Sequence, residues 1–242
     1  MTESTTENYQ LNLGSLRSQV ELKLHTYHAV RVWQGKKNSD GHSTPGMSVY
    51  FSITNLIKMA SARNDPYADW WMIQIEEKLE TAQEQMKDLT QLIDKLIEKI
   101  PTQITITDNL NQKPFSTPLF VGSHMGFRGV YLLEAYDSLA RKILLANHTG
   151  LLSRRDTENY LDQGAHLLRS LFGLAKRYSN AGVSRDDMAA SNAKARAAID
   201  KYGLPPQDIL DGSRRSDFAP ALIGQRTPES AADDNSTEVA ED

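Results

Sequence analysis

The stretch Asp65-Pro66-Tyr67-Ala68-Asp69-Trp70-Trp71-Met72-Ile73-Gln74-Ile75 opens a segment that runs without a break to Pro101, and the rest of the chain is read from it. Asp65 can cap a helix with its carboxylate. Pro66 stands at the first helical position, where its missing N–H costs nothing, and Pro101 cannot continue the helix. Between these stops Met72, Ile75, Leu79, Ala82, Met86, Leu89, Ile93, Leu96 and Ile100 recur at alternating spacings of three and four. That is the a/d seam of a heptad repeat. At ~1.5 Å per residue, a helix over 65–101 is roughly 50 Å long, more than a small body covers along its whole length. The seam therefore calls for a long partner, either the same helix of a second subunit or later helices of this chain folded back along it.

Upstream, residues 1–13 are polar and aperiodic and read as a mobile arm. From Arg17 the pattern changes: Val20, Leu22 and Leu24 alternate with Gln19, Glu21, Lys23 and His25, the period of a strand with one buried face. Thr26 fits an N-cap, and Tyr27 to Gln34 reads as a short helix closed by Gly35 in the left-handed conformation. Lys36 and Lys37 follow beside a loop rich in Ser, Asp, Gly and Pro. A second helix is expected over 48–63, burying Val49, Ile53, Leu56 and Met59 or Ala60. Residues 14–64 thus form a strand-helix-helix unit ahead of the heptad helix.

Downstream, residues 102–210 read as a hairpin and a helical unit that packs on the heptad helix. Ile104 and Ile106 alternate with Gln103, Thr105 and Thr107, and turn residues lead on to Pro118–Val121, the signature of a hairpin. Helices are expected over 127–148 and 154–178, the second opened by Ser153 and Asp156, and these are natural cover for the seam. Ser184 and Asp187 open an Ala-rich helix to Tyr202. Residues 223–242 read as an acidic disordered tail.

Composition bounds the chemistry. The 242 residues include no cysteine, which excludes disulfides and thiolate metal sites and suits a reducing cytoplasm. No apolar run has the ~20 residues that span a bilayer, so no membrane role is expected. The net charge of −4 comes from the tail; without residues 226–242 the body has 26 basic and 25 acidic residues, so DNA binding would need a local basic surface. The six histidines match no metal-site spacing, and Gly122, Gly126 and Gly129 lack the spacing and acidic partner of a dinucleotide loop and read as close-packing positions. No nucleophile motif is present. No enzyme, metal or cofactor is expected.

The strand points elsewhere. A two-stranded ribbon fits the DNA major groove, so if the strand pairs with its two-fold mate, Arg17, Gln19, Glu21, Lys23 and His25 become candidate base-reading or flanking residues, with Lys36 and Lys37 meeting phosphates. An ordinary edge strand fits the same alternation, and Gln103, Thr105 and Thr107 make the second strand an alternative ribbon.

The run Leu16-Arg17-Ser18-Gln19-Val20-Glu21-Leu22-Lys23-Leu24-His25-Thr26, the segment Val32-Trp33-Gln34-Gly35-Lys36, the block Asn64-Asp65-Pro66-Tyr67-Ala68-Asp69-Trp70-Trp71 and Leu171-Phe172-Gly173-Leu174-Ala175 together resemble the AcaB-like family of conjugative plasmids and integrating conjugative elements. The likeness covers about residues 11 to 187, and Asp-Pro-Tyr-Ala-Asp-Trp is its most specific piece. It implies a mainly α fold with short β elements, related to ribbon-helix-helix proteins, and a dimeric transcriptional activator of transfer genes that binds double-stranded DNA and has RNA polymerase as a candidate partner. No family position for DNA contact carries over, so the site residues above rest on alternation alone. A structural or assembly factor of the conjugation machinery, without DNA binding, is the alternative.

Overall fold

A computed structural model of the chain describes residues 19–37, 43–105, 107 and 109–223. The arm 1–13, Arg17, Ile106 and the tail beyond Ile223 lie outside the described residues. The expected capping opens the long helix α3 (Pro66–Ile97): Asp65 Oδ1 accepts the N–H groups of Tyr67 at 2.8 Å and Ala68 at 3.3 Å. At 1.5 Å per residue its 32 residues span about 48 Å. It ends before Pro101, where Lys99 and Ile100 donate three residues back to Leu96 and Ile97 and tighten the last turn.

Before α3 come β1 (Glu21–Leu24), α1 (Tyr27–Gln34), a minimal hairpin β2 (Lys36–Lys37) and β3 (Ser43–Thr44), and α2 (Met47–Ala62). After it come β4 (Phe115–Pro118), α4 (His124–His148), α5 (Arg154–Lys176), α6 (Arg185–Ala189), α7 (Ala193–Tyr202) and α8 (Gln207–Leu210). Met72, Ile75, Leu79, Ala82, Met86 and Ile93 of α3 are buried against Leu132, Leu133, Leu139 and Ile143 of α4 and Leu168, Leu171 and Phe172 of α5. The seam is thus covered by later helices of the same chain, and of the two partners open to it the intrachain one is realised. The small glycines let these helices close up: a Cβ on Gly129 would stand 2.5 Å from Tyr50 Cε1, and one on Gly164 would stand 2.7 Å from Tyr136 Cδ2.

Four expectations are corrected. Residues 101–105 form an exposed turn instead of a strand, with Ile104 half exposed because no layer lies over it. The second strand is β4, which pairs antiparallel with β1 in the register Glu21↔Pro118, Leu22↔Thr117, Lys23↔Ser116, Leu24↔Phe115. Phe115 gives β4 an apolar anchor against Trp33, ring centroids 6.3 Å apart. On α2 the buried face is Met47, Tyr50, Thr54, Ile57, Ala60 and Ser61, while Val49, Leu56 and Met59 face outward. On β1, Val20 is exposed while Leu22 and Leu24 are buried. The Ala-rich helix divides at Ala190–Asn192, where Ser191 takes a positive φ of 49° and Asn192 caps α7 anew.

Two buried carboxylates hold the body. Asp137 of α4 accepts from Thr26 N–H at 2.8 Å, Thr26 Oγ1 at 2.7 Å and His25 N–H at 3.0 Å, and so fixes the turn from β1 into α1. Asp69 on the first turn of α3 accepts from Ser61 and from two arginines: Arg185 on α6, and Arg215 in the C-terminal strap that ends with Ile223 N–H on the Ala62 carbonyl. Polar contacts to Asp69 anchor α6 and the strap beside the apolar packing of Met188 and Phe218.

Candidate nucleic-acid interface

The β1–β4 ribbon turns Leu22 and Leu24 to the core, because alternate side chains of a strand point to opposite faces. Its outer face carries Glu21, Lys23, Ser116 and Pro118, with exposed Gln19 just ahead. These groups neutralise one another: Ser116 Oγ donates to Glu21, and Lys23 Nζ lies 3.9 Å from Glu21 Oε2. Both pairs are solvent-exposed and weak, so Lys23 and Glu21 remain able to exchange partners.

His25 is not on that face in the same sense. Its Nδ1 accepts the Asn111 N–H at 3.2 Å, and its carbonyl accepts from Asn111 Nδ2 at 3.3 Å. The ring is thereby tied to the loop before β4. Gln103, Thr105 and Thr107 are exposed, and Thr107 borders a separate depression with Asp94, Arg141 and Lys142. The structure does not bring them to the ribbon.

At the far end of α1 lies the more basic surface. Gly35 has a φ of 71°, and a Cβ there would stand 2.5 Å from the Thr44 carbonyl oxygen. A Cβ on Gly46 would stand 2.5 Å from the Trp33 carbonyl oxygen. Only glycine at both positions lets the β2–β3 hairpin fold back on the end of α1. Lys176 of α5 holds the hairpin from the other side, donating to the Ser43 carbonyl at 3.1 Å and to Ser43 Oγ at 3.2 Å.

Between hairpin, α1 and α5 opens a concavity of about 760 Å³ bordered by Tyr27, Arg31, Lys36, Asp162 and Arg169. Three cations meet one carboxylate here; Asp162 lies 4.0 Å from Arg169, and Arg31 and Lys36 make no ion pair among the described residues. The Arg31 guanidinium lies 5.7 Å from the centroid of the exposed Tyr27 ring. His28 nearby has its pKa lowered by burial and by Arg31, against the opposing pull of Asp162. Sequence reasoning found Lys36 and Lys37 and missed Arg31 and Arg169. Arg31 could have been suspected from its place on the exposed side of a short helix; Arg169 is brought in only by the packing of α5.

The model of the family described as "Transcriptional regulator AcaB" matches residues 12–223, a span holding the ribbon, the hairpin and every helix. The chain belongs to the AcaB family of transcriptional regulators. Its fold is similar to the crystal structure of selenomethionine-containing AcaB from uropathogenic E. coli, with a TM-score of 0.53 and 15% identity over 81% of this chain and 95% of that one. At that identity the likeness to AcaB concerns the mainly helical fold and its small antiparallel sheet. Among curated proteins none matches. The family is described as one of transcriptional regulators. Among the described residues no three His, Asp or Glu are gathered as a metal site, and no helix is long and apolar enough to cross a membrane.

Proposed function

We propose that this chain is a sequence-specific DNA-binding activator of the conjugative transfer genes of a mobile element, acting as a homodimer in the bacterial cytoplasm. The observation that carries the reading is the spacing of the two surfaces just described. The ribbon enters α1 at Tyr27, and the cationic hairpin leaves it after Gln34. An eight-residue helix is about 12 Å long, close to the ~12 Å width of the major groove. With the ribbon in the groove, Gln19, Lys23 and Ser116 reach base edges while Arg31, Lys36 and Arg169 meet the phosphates of one wall. The ribbon that reads DNA is then the β1–β4 pair within one protomer, and a two-fold dimer presents two of them to a palindromic site. As an activator it would also meet RNA polymerase.

Gel-shift titration with duplex from upstream of the element's transfer operon, beside a scrambled duplex, at two salt concentrations, tests this. Tighter binding to the native duplex, weakening with salt on both, is expected. No shift, or equal shifts at both salts, would leave the assembly-factor reading in its place.

A further inference from the structure

We infer, resting on the DNA reading above, that Asp137 of α4 is a positioning residue for base recognition. It sets the angle between the β1–β4 ribbon and α1, and so decides whether Gln19 and Lys23 meet base edges while Arg31 and Lys36 meet phosphates. Asp137 is 3% exposed and Thr26, its main partner, is 5% exposed, so neither presents a surface to nucleic acid. Whatever they do for recognition passes through where the ribbon sits.

Apolar contact does not fix that angle. Leu22 and Leu24 are the buried side chains of β1, and burial is non-directional, so it holds the ribbon down without setting its tilt. Direction comes from hydrogen bonds, which converge on the junction of β1 with α1. One oxygen of Asp137 accepts the Thr26 N–H and hydroxyl at 2.8 and 2.7 Å, and the other accepts the His25 N–H at 3.0 Å. Because the Thr26 hydroxyl donates to Asp137, its lone pairs are left for the Ala29 N–H, 3.2 Å away, and the same group caps α1. A single carboxylate thus ties the end of β1 and the first turn of α1 to the middle of α4.

The approach to β4 is held at the same place. Asn111 donates its N–H to His25 Nδ1 and its side-chain amide to the His25 carbonyl, and Asn109 donates to the carbonyl of Arg141, one turn on from Asp137, at 3.3 Å. Pinned at one end, the ribbon is a lever. Gln19 lies six residues before His25, roughly 20 Å along an extended strand. A tilt of about 10° at the junction moves Gln19 by about 3–4 Å, enough to break a hydrogen bond to a base edge. Asparagine at 137 cannot hold the junction as the carboxylate does, because its NH2 group would confront at least one of the three donors.

The test titrates Asp137→Asn, Thr26→Val and Thr26→Ser against the transfer-operon duplex and a scrambled duplex, beside Leu79→Ala, which is buried in the α3 seam and destabilises elsewhere. Asp137→Asn and Thr26→Val should bind the operator on the order of 10- to 100-fold more weakly, as a mismatched base pair does, with no weaker binding to scrambled duplex and an unchanged salt slope. Thr26→Ser keeps the hydroxyl and should keep the parent's ratio of operator to scrambled affinity, as should Leu79→Ala. Circular dichroism is the folding control, and the Thr26 pair decides if Asp137→Asn does not fold. With no native cysteine, spin labels on Val20→Cys and Glu158→Cys read the distance from ribbon to α5 without DNA. It should be one narrow distribution in the parent and shifted or broadened in Asp137→Asn. A ratio left at the parent's value by Asp137→Asn and Thr26→Val overturns the inference. So does an equal gain on both duplexes, which loss of a negative charge alone would give, an equal fall in the ratio with Leu79→Ala, or an unmoved distance. A parent that binds both duplexes alike overturns the DNA reading, and this inference with it.

Discussion

Arg185 donates to Asp69 across 2.8 Å, joining a five-residue helix to the first turn of α3 at a carboxylate with no exposed side-chain surface. The same guanidinium reaches the Asn64 side chain at 2.8 Å and the Ile209 carbonyl, and Arg215 comes to Asp69 from the other side at 3.0 Å. The Asp-Pro-Tyr-Ala-Asp-Trp block is therefore a docking point for the C-terminal third of the chain as well as a helix start.

Asp69→Ala should destabilise the protein by about 3–5 kcal/mol, because it strands two largely buried guanidinium groups and the Ser61 hydroxyl. Arg185→Ala should cost less, since Arg215 and Ser61 still satisfy Asp69, and the double variant should cost less than the sum. Denaturant titration of the three variants checks this. Strict additivity would mean the groups act independently.

Asp65 supplies a pH dependence. Burial pushes its carboxyl pKa up from 3.8 to about 6, despite the cap N–H bonds of Tyr67 and Ala68 that favour the anion. The folded state thus holds this proton more tightly than the unfolded chain does. Between about pH 4 and pH 6 stability falls as pH rises, and the loss is complete above the folded pKa, amounting to about 2–3 kcal/mol. Asp65→Asn keeps a cap oxygen without the charge. It should be more stable than the parent by about 1–2 kcal/mol at pH 8, with the gap closing toward pH 4. Thermal unfolding across that range is the measurement; a gap that widens on acidification would contradict the assignment.

Leu79 lies in the seam and is fully buried. Leu79→Ala should lower stability by about 2–5 kcal/mol. It should leave the dimer Kd of folded protein unchanged, because its neighbours are α4 and α5 of the same chain. A variant that loses self-association while keeping its melting temperature would show that α3 pairs between copies.

On DNA the two surfaces should separate. Gln19→Ala and Lys23→Ala should each lose roughly 1–3 kcal/mol on the operator and relax preference at particular base pairs, with little loss on scrambled duplex. Lys36→Ala, Arg31→Ala and Arg169→Ala should weaken binding to both and lower the salt slope by about one unit per contact. If the first pair bind like the parent while Gln103→Ala or Thr105→Ala abolishes specificity, base reading belongs to the turn at 101–105.

Much of the fold was legible because its signals are local. Asp65 with Pro66, Ser153, Ser184 with Asp187, Thr26 and Gly35 each mark a helix end through groups within four residues, and all five do so in the structure. The heptad period of α3 likewise needs only a helix and a neighbour to be buried. The buried face of α2 was not legible, since Val49, Leu56 and Met59 are as apolar as the Met47, Tyr50 and Ile57 that it buries, and Gly129 of α4 makes room for the Tyr50 ring of α2. The partner of β1 was not legible for a related reason: its alternation suits a two-fold mate or an ordinary edge, and 103–107 reads as the first strand of a separate hairpin ending at Pro118–Val121, whereas the strand that pairs with β1 is β4. Ile104 and Ile106 alternate as well as any strand, but the pairing goes to Phe115–Pro118, where Phe115 meets Trp33 of α1. Of the candidate site, the polar face of β1 and the lysines after Gly35 come from the sequence, while Arg31, Arg169 and Asp162 converge only when α5 packs across α1. Alternation and caps record what a residue does with its neighbours along the chain; which face of a helix is covered, and which charges share a concavity, depends on segments more than 100 residues apart, such as those carrying Arg31 and Arg169, coming together in the folded protein.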